Sequence, residues 1–184
     1  MRKSGLLALC YATVCVSGCA TRNESVDLDE AAPSPPNALD AELHDPTGRT
    51  LGRALVEQAG DSVRVRVEAV AMGAGAYGAH IHMTGRCEAP DFESAGAHWN
   101  PTRVQHGKDN PGGMHKGDLP NLLVGTDGRG SFEYTIPNAT ISGRGPNLLL
   151  DADGAAVVVH ARPDDFRTDP SGNSGTRIAC GVLR

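Results

Sequence analysis

Seven histidines stand in this chain, and six of them share two short runs and one loop with a carboxylate. His98, His106 and His115 lie in HWNPTRVQHGKDNPGGMHKGD, eight and nine residues apart, and Asp118 follows three residues after the last. This stretch has no apolar period of two or of 3.6, and its Gly, Pro, Asn and Lys residues offer these side chains no core. A metal ion is the first candidate for fixing it in place. His80 and His82, in YGAHIHMTG, fall on one face of a strand with Ala79, Ile81 and Met83 on the other. Their Cα atoms would stand about 6.5 to 7 Å apart, and two such imidazoles can meet one ion at about 2.0 to 2.1 Å. The competing reading of the pair is two solvated histidines. His160 closes AAVVVHA and shares its face with Ala156 and Val158, which alone suggests a strand-end histidine.

Imidazole and carboxylate without thiolate suit zinc or copper rather than an iron-sulfur cluster. Six histidines and Asp118 make seven ligands, one short of two separate four-coordinate sites. Either one site keeps an open position or one imidazole serves both ions. His44, in the turn that begins LHDPTG, is left over and reads as a surface residue.

The elements that must position these side chains are strands. In SVRVRVEA, Val63, Val65 and Val67 face one way and Arg64, Arg66 and Glu68 the other, as in a half-buried antiparallel strand. Similar strands are expected near 54–58, 79–83, 121–124, 131–136, 155–160 and 178–183. Turn signals separate them, among them Asp45-Pro46-Thr47-Gly48, Asp127-Gly128 and Asp153-Gly154. No segment sustains a 3.6 period, so the expectation is an all-β sandwich or barrel. Two irregular stretches, 84–119 and 161–176, are long enough to be functional loops. With 184 residues, 39% hydrophobic, the chain suits one domain.

Residues 1–18 open with Arg2 and Lys3 and continue as an apolar run too short for a permanent anchor, as in an export signal. The run Val16-Ser17-Gly18-Cys19 resembles the lipobox of bacterial lipoproteins. This implies cleavage before Cys19 and lipid on its sulfur, and Ala20 favours the outer membrane, facing the periplasm. An ordinary signal cleaved nearby is the alternative. Residues 19–37 are acidic and proline-rich and read as a disordered tether, and the domain would occupy 38–184. Of five cysteines, Cys10 and Cys15 would leave with the signal and Cys19 would be acylated. Cys87 and Cys180 then remain, and an oxidising compartment implies one disulfide between them. The mature chain would carry 15 basic and 22 acidic residues, a balance of −7, which makes nucleic acid an improbable partner.

The runs GAHIHMTGRC, AGAHWNP, HGKDNPGGMHKGDLPNL, VVVHARPDDF and GNSGTRIACGVL together resemble the copper, zinc superoxide dismutases of the bacterial exported type. The resemblance covers roughly 38–184 and implies a flattened eight-stranded Greek-key β-barrel, an immunoglobulin-like sandwich. It implies one copper and one zinc per subunit. Copper would be held by His80, His82, His98 and His160, and zinc by His98, His106, His115 and Asp118, so that His98 bridges. Asp164 would orient a copper and a zinc histidine from behind, Arg177 would line the copper channel, and Cys87 and Cys180 would form the family's disulfide. Two positions depart from the commonest pattern without removing a ligand: Ala79 stands where a bulky aromatic is frequent, and Trp99 where phenylalanine is. Exported members of the family occur as monomers and as homodimers, so the resemblance admits both.

The implied reaction turns two superoxide anions and two protons into dioxygen and hydrogen peroxide, with Arg177 and His98 as the catalytic residues. An acidic chain serving an anion needs a local reversal of field. Arg177 would supply it, with Arg162 and Arg167 as further candidates. A lipoprotein that sequesters copper or zinc on the same fold is the main alternative, and it would need neither Asp164 nor Arg177. A zinc hydrolase is disfavoured, because no H-E-x-x-H run is present and Asp118 fills the fourth zinc position.

Overall fold

Alternation of apolar and polar residues becomes nine strands in the computed structural model, which describes residues 37–184. They are β1 (Ala38–His44), β2 (Thr50–Ala59), β3 (Ser62–Ala69), β4 (Gly75–Tyr77), β5 (Ala79–His82), β6 (Leu122–Val124), β7 (Gly130–Ile136), β8 (Ala156–His160) and β9 (Arg177–Val182). The export signal at 1–18, Cys19 and all but the last residue of the 19–37 tether lie outside the described residues.

Seven strands pair antiparallel in the order β5-β8-β9-β1-β2-β3-β7, and β4 pairs antiparallel with β6. Only Gly78 separates β4 from β5, at one end of the large sheet. At the other end, β6 turns back into β7 across Gly125 to Arg129, with Gly128 at φ 77° where an L side chain would be strained. The small pair thus joins the two ends, and the sheet curls into a Greek-key barrel. Counted with β4 and β5 as one run, it has eight strands.

The interior is built as the alternation requires. Val63, Val65 and Val67 of β3 are fully buried, with Val56 of β2, Ile81 of β5, and Val157 and Val159 of β8. Full burial of such side chains stabilises by about 1.5 to 3 kcal/mol each. Outward, Arg66 meets Glu68 at 2.8 Å and Arg64 meets Glu133 at 3.5 Å, exposed pairs that contribute little.

Two strands were not expected from the sequence. β1 alternates, burying Ala41 and Leu43, but its small and acidic residues blur the pattern. β4 is three residues long and carries no period. His44 closes β1 rather than sitting in the following turn, with its imidazole exposed 3.4 Å from Glu42. A third long connection, 137–155, crosses between β7 and β8 beside the two expected loops.

The outer face of β5 and β8 departs most from a half-solvated sheet, because His80, His82, Ala156, Val158 and His160 are all buried. The connection after β5 folds over them. Phe92 and Ala95 pack on Ala156 and Val158 as a second apolar cluster beside Cys87 and Cys180, and those cysteines form a disulfide with Cα atoms 5.6 Å apart. The same connection pairs with the free edge of β5. Trp99 N–H donates to Ile81 O (2.8 Å), and Ile81 N–H donates to Gly117 O (2.9 Å). A Cβ at Gly117 would collide with the Ile81 carbonyl, so this edge closes only with glycine there.

Candidate metal centre

β5 contributes His80 and His82, β8 contributes His160, and the connection from 83 to 121 contributes His98, His106, His115 and Asp118. Their rings form one continuous cluster. His80 stacks on His98 with centroids 3.9 Å apart, and His98 stands 5.3 Å from His106 and 5.4 Å from His115. All are buried, from 0% exposure at His80 and His106 to 6% at His98 and His115.

Four of the rings are each fixed through one nitrogen. His82 Nδ1–H donates to Gly96 O at 2.9 Å and His160 Nδ1–H to Gly175 O at 3.1 Å. His80 Nε2–H donates to Asp164 Oδ2 at 2.8 Å. His98 Nδ1 lies 3.0 Å from Asp118 Oδ1. The second nitrogens are His80 Nδ1, His82 Nε2, His98 Nε2 and His160 Nε2. Among the described residues these four are the buried side-chain nitrogens and oxygens without a hydrogen-bond partner, and the four residues bring ligand atoms within 4.8 Å of one another. Leaving a buried polar atom unpaired costs about 1 to 3 kcal/mol. Four such atoms facing one point form a donor set for a metal ion, and four imidazoles suit copper or zinc.

The opposite edge of His98 opens a second cluster. Asp118 Oδ1 lies 3.0 Å from His98 Nδ1, 2.9 Å from His106 Nδ1 and 3.1 Å from His115 Nδ1, while His115 Nδ1 lies 3.3 Å from His98 Nδ1. Four ligands at about 2.0 to 2.1 Å in a tetrahedron stand about 3.3 Å apart, close to these separations. Hydrogen bonds alone account for the set poorly, since two imidazole Nδ1 atoms face each other beside one oxygen. His80 is also close to His98, His106 and Asp118, but its Nε2 is committed to Asp164, so His115 completes this cluster. Asp118 Oδ2 is used separately, accepting from Gly107 N–H and His115 N–H at 2.9 Å each.

Asp164, in the 161–176 connection, joins the clusters from behind. Its carboxylate accepts from His80 Nε2, from His106 Nε2 at 3.0 Å and from the Phe166 amide at 2.6 Å. Both rings are thereby set with Nδ1 toward the cluster interior. Burial lowers the His80 pKa to about 3 despite Asp164, and lowers His160 to about 4; His82 and His98 are also pushed down, chiefly by burial. These rings are neutral at pH 7, the form a metal requires. Burial also acts to lower His106, but its bonds to Asp118 and Asp164 prevail and raise it to about 9. Burial would raise both carboxylates, and their imidazole partners instead hold them well below the usual range.

Arg177 begins β9 and is half-buried. Its Nη1 donates to Phe92 O (2.7 Å) and its Nη2 to Gly96 O (2.8 Å), the carbonyl that also receives His82. Its charge acts to lower both His82 and His160. Arg162 and Arg167 are exposed in the neighbouring connection. Arg162 lies over Gly175, and the backbone carbonyl of Arg167 receives Asn110. Ala79 is fully buried in the barrel, and Trp99 is buried with its indole donating to Leu148 O at 3.1 Å.

Sequence reasoning missed two supporting residues. Asn121 clasps the Asp164 backbone from both sides, accepting from its amide (2.8 Å) and donating to its carbonyl (2.9 Å). Gly172, at φ 62°, leaves space for the bond between Asp164 and His106, because a Cβ there would land on Asp164 Oδ1. The glycine marks a turn in the sequence, but only the fold shows what passes beside it.

Barrel and site define a class of β-barrel protein with two adjoining ligand clusters that meet at one histidine. The chain belongs to the copper/zinc superoxide dismutase family, whose model matches residues 50–183. It is similar to the superoxide dismutase-like protein YojM of Bacillus subtilis, with 35% identity over 97% of this chain and 94% of that protein. It is also similar to the copper-zinc superoxide dismutase 1 of Aquifex aeolicus, with 40% identity over 78% and 86%. The crystal structure of a superoxide dismutase-like protein from Bacillus subtilis superposes with a TM-score of 0.74 at 37% identity, covering 79% of this chain and 97% of that one.

Proposed function

We propose that the protein disproportionates superoxide: two superoxide anions and two protons give dioxygen and hydrogen peroxide. In this reading His80, His82, His98 and His160 hold copper, and His98, His106, His115 and Asp118 hold zinc. The observation that carries it is the set of four unpartnered imidazole nitrogens, one of them on the ring whose other nitrogen faces Asp118. Copper, when bound, supplies the one-electron redox couple, and zinc supplies charge that keeps His98 in place. Arg177 attracts the anion to the edge of the pocket and orients it. His98 Nε2, buried and free of any protein partner, is the atom that takes up a proton in the first half of the cycle and hands it on in the second. Asp164 and the carbonyls of Gly96 and Gly175 hold the other three rings in their tautomers.

Export, a lipid on Cys19, attachment to the outer membrane facing the periplasm, and a monomeric or homodimeric state are parts of the same proposal and rest on the sequence and the resemblance. Mass spectrometry of the mature protein tests the lipid, and sedimentation tests the assembly.

Sequestration of metal without turnover is the second reading, and the similarity to a Bacillus subtilis protein described only as superoxide dismutase-like is what favours testing it. Purified protein loaded with copper and zinc, and then with zinc alone, is assayed for superoxide removal. Fast removal that requires copper supports dismutation. Tight binding of both metals without removal supports sequestration, and removal by the zinc-only form overturns the assignment.

A further inference from the structure

The guanidinium of Arg177 is anchored on the carbonyl of Phe92, and Phe92 stands between two exposed carboxylates, Asp91 and Glu93. The local geometry is fixed. Asp91 Oδ1 accepts the Glu93 amide at 3.0 Å, Phe92 is buried in the left-handed region at φ 57°, and the disulfide at Cys87 ties this segment to β9. Burial disfavours the charge on Arg177, and Glu93 and Asp91 are the acids that counter this, so both act on the guanidinium itself. Glu88 is exposed in the same segment, and the other cations near this edge are Arg86, exposed beside Cys87, and Arg162, over Gly175. The guanidinium that feels these two carboxylates is the one whose charge also acts on His82 and His160 of the pocket.

We propose that Asp91 and Glu93 set a negative field at the approach to the His80, His82, His98 and His160 pocket, speeding uptake of a copper cation and slowing arrival of an anion. The inference rests on the reading of that pocket as a copper site served by an anion. A field of one sign acts oppositely on ligands of opposite charge, whereas a merely structural role for the two acids would disturb both in the same sense. Removing one carboxylate charge near the surface changes association of a singly charged ligand by about twofold and of a divalent cation by about fourfold at low salt, and the effect fades once the Debye length falls to about 8 to 10 Å.

The test uses full-length protein carrying Asp91→Asn, Glu93→Gln or both; asparagine keeps the Oδ1 acceptor for the Glu93 amide. Uptake of Cu(II) by the zinc-loaded, copper-free protein is followed by visible absorbance. Azide is then titrated into the copper-loaded form. Each variant should slow Cu(II) uptake by about fourfold and tighten azide binding by about twofold, the double variant by about sixteenfold and about fourfold, with both effects vanishing in concentrated salt. Copper uptake and azide affinity that move in the same sense, no change at low salt, or no azide affinity in the unaltered protein would overturn the proposal. Neither readout uses superoxide. Shifts of the expected signs in a protein that fails to remove superoxide would leave this inference standing and sink the dismutase reading.

Discussion

Asp164→Asn isolates the carboxylate that joins the two clusters. Asp164 accepts two imidazole N–H groups and one backbone amide at distances of 2.6 to 3.0 Å, with its side chain fully buried. Asparagine has nearly the same shape but only one acceptor oxygen. Its amide must point two hydrogens at His80 or at His106, so one ring loses its acceptor and is driven to turn or to change tautomer. A hydrogen bond to a charged group contributes about 1.5 to 3 kcal/mol, and loss of a partner behind a metal-bound histidine typically costs 10 to 100-fold in affinity. The expected result is a loss of about 10 to 100-fold at one ion and a smaller loss at the other, read by competition with chelators for zinc and copper separately. Gly172→Ala should reproduce it without altering Asp164, because the new methyl would occupy the position of Asp164 Oδ1 and lie 2.8 Å from His106 Nε2. Affinities within twofold of the unaltered protein for both ions, in both variants, would refute the idea that this carboxylate orients the rings.

Asn121→Ala removes two half-buried bonds to the Asp164 backbone and should destabilise the metal-free protein by about 1 to 3 kcal/mol in urea unfolding. Cys87→Ser with Cys180→Ser opens a cross-link of 93 residues, and the loss should approach ~4 to 5 kcal/mol in the chain-entropy limit, measured by the same unfolding. Metal-free protein should unfold more easily as pH falls from about 6.5 toward 4: His80 and His160, lowered to about 3 and about 4, stay neutral when folded but take protons when unfolded. His106, raised to about 9, contributes in the opposite sense; its contribution is fully present below about 6.5 and is lost as pH rises through 9, so it leaves the acid slope unchanged. Thermal midpoints from pH 10 to 4.5 check both limbs, and a midpoint flat between 6.5 and 4.5 would contradict the burial of neutral rings.

The barrel was legible where burial imposes strict alternation. β3 announces itself with three valines, and β5 and β8 with their histidines, whereas β1 hides its period among Ala, Asp and Glu, and β4 is too short to show one. The residues that come together were legible as candidates because imidazole and carboxylate are uncommon companions in a glycine-rich loop. Their geometry was not. Alternation leaves His80 and His82 equally suited to solvent, and their burial depends on what folds over them from segments with no period of their own: Gly96, His98 and Asp118 from one connection and Asp164 from another. Asn121 and Gly172 escaped for a related reason, since each acts on Asp164 across 43 and 8 residues and carries no chemistry that a spacing rule would notice.

The position of the site on the outside of the barrel follows from the same physics. The interior is filled by valine, isoleucine, leucine and alanine, and a cluster of imidazoles there would leave its backs without polar partners. On the outer face of β5 and β8, the covering connections bring carbonyls at Gly96 and Gly175 and carboxylates at Asp118 and Asp164, and Asp164 serves both His80 and His106. Those connections cannot fold by apolar burial alone, because Phe92, Ala95 and Trp99 are nearly all the buried hydrophobic surface that 83–121 offers before Leu119. Ligand groups and cover therefore depend on each other: the loop buries the rings, and the rings, drawn to a common point, hold the loop. A stretch without periodicity persists in a compact domain because its fixed points are nitrogens and oxygens instead of methyl groups.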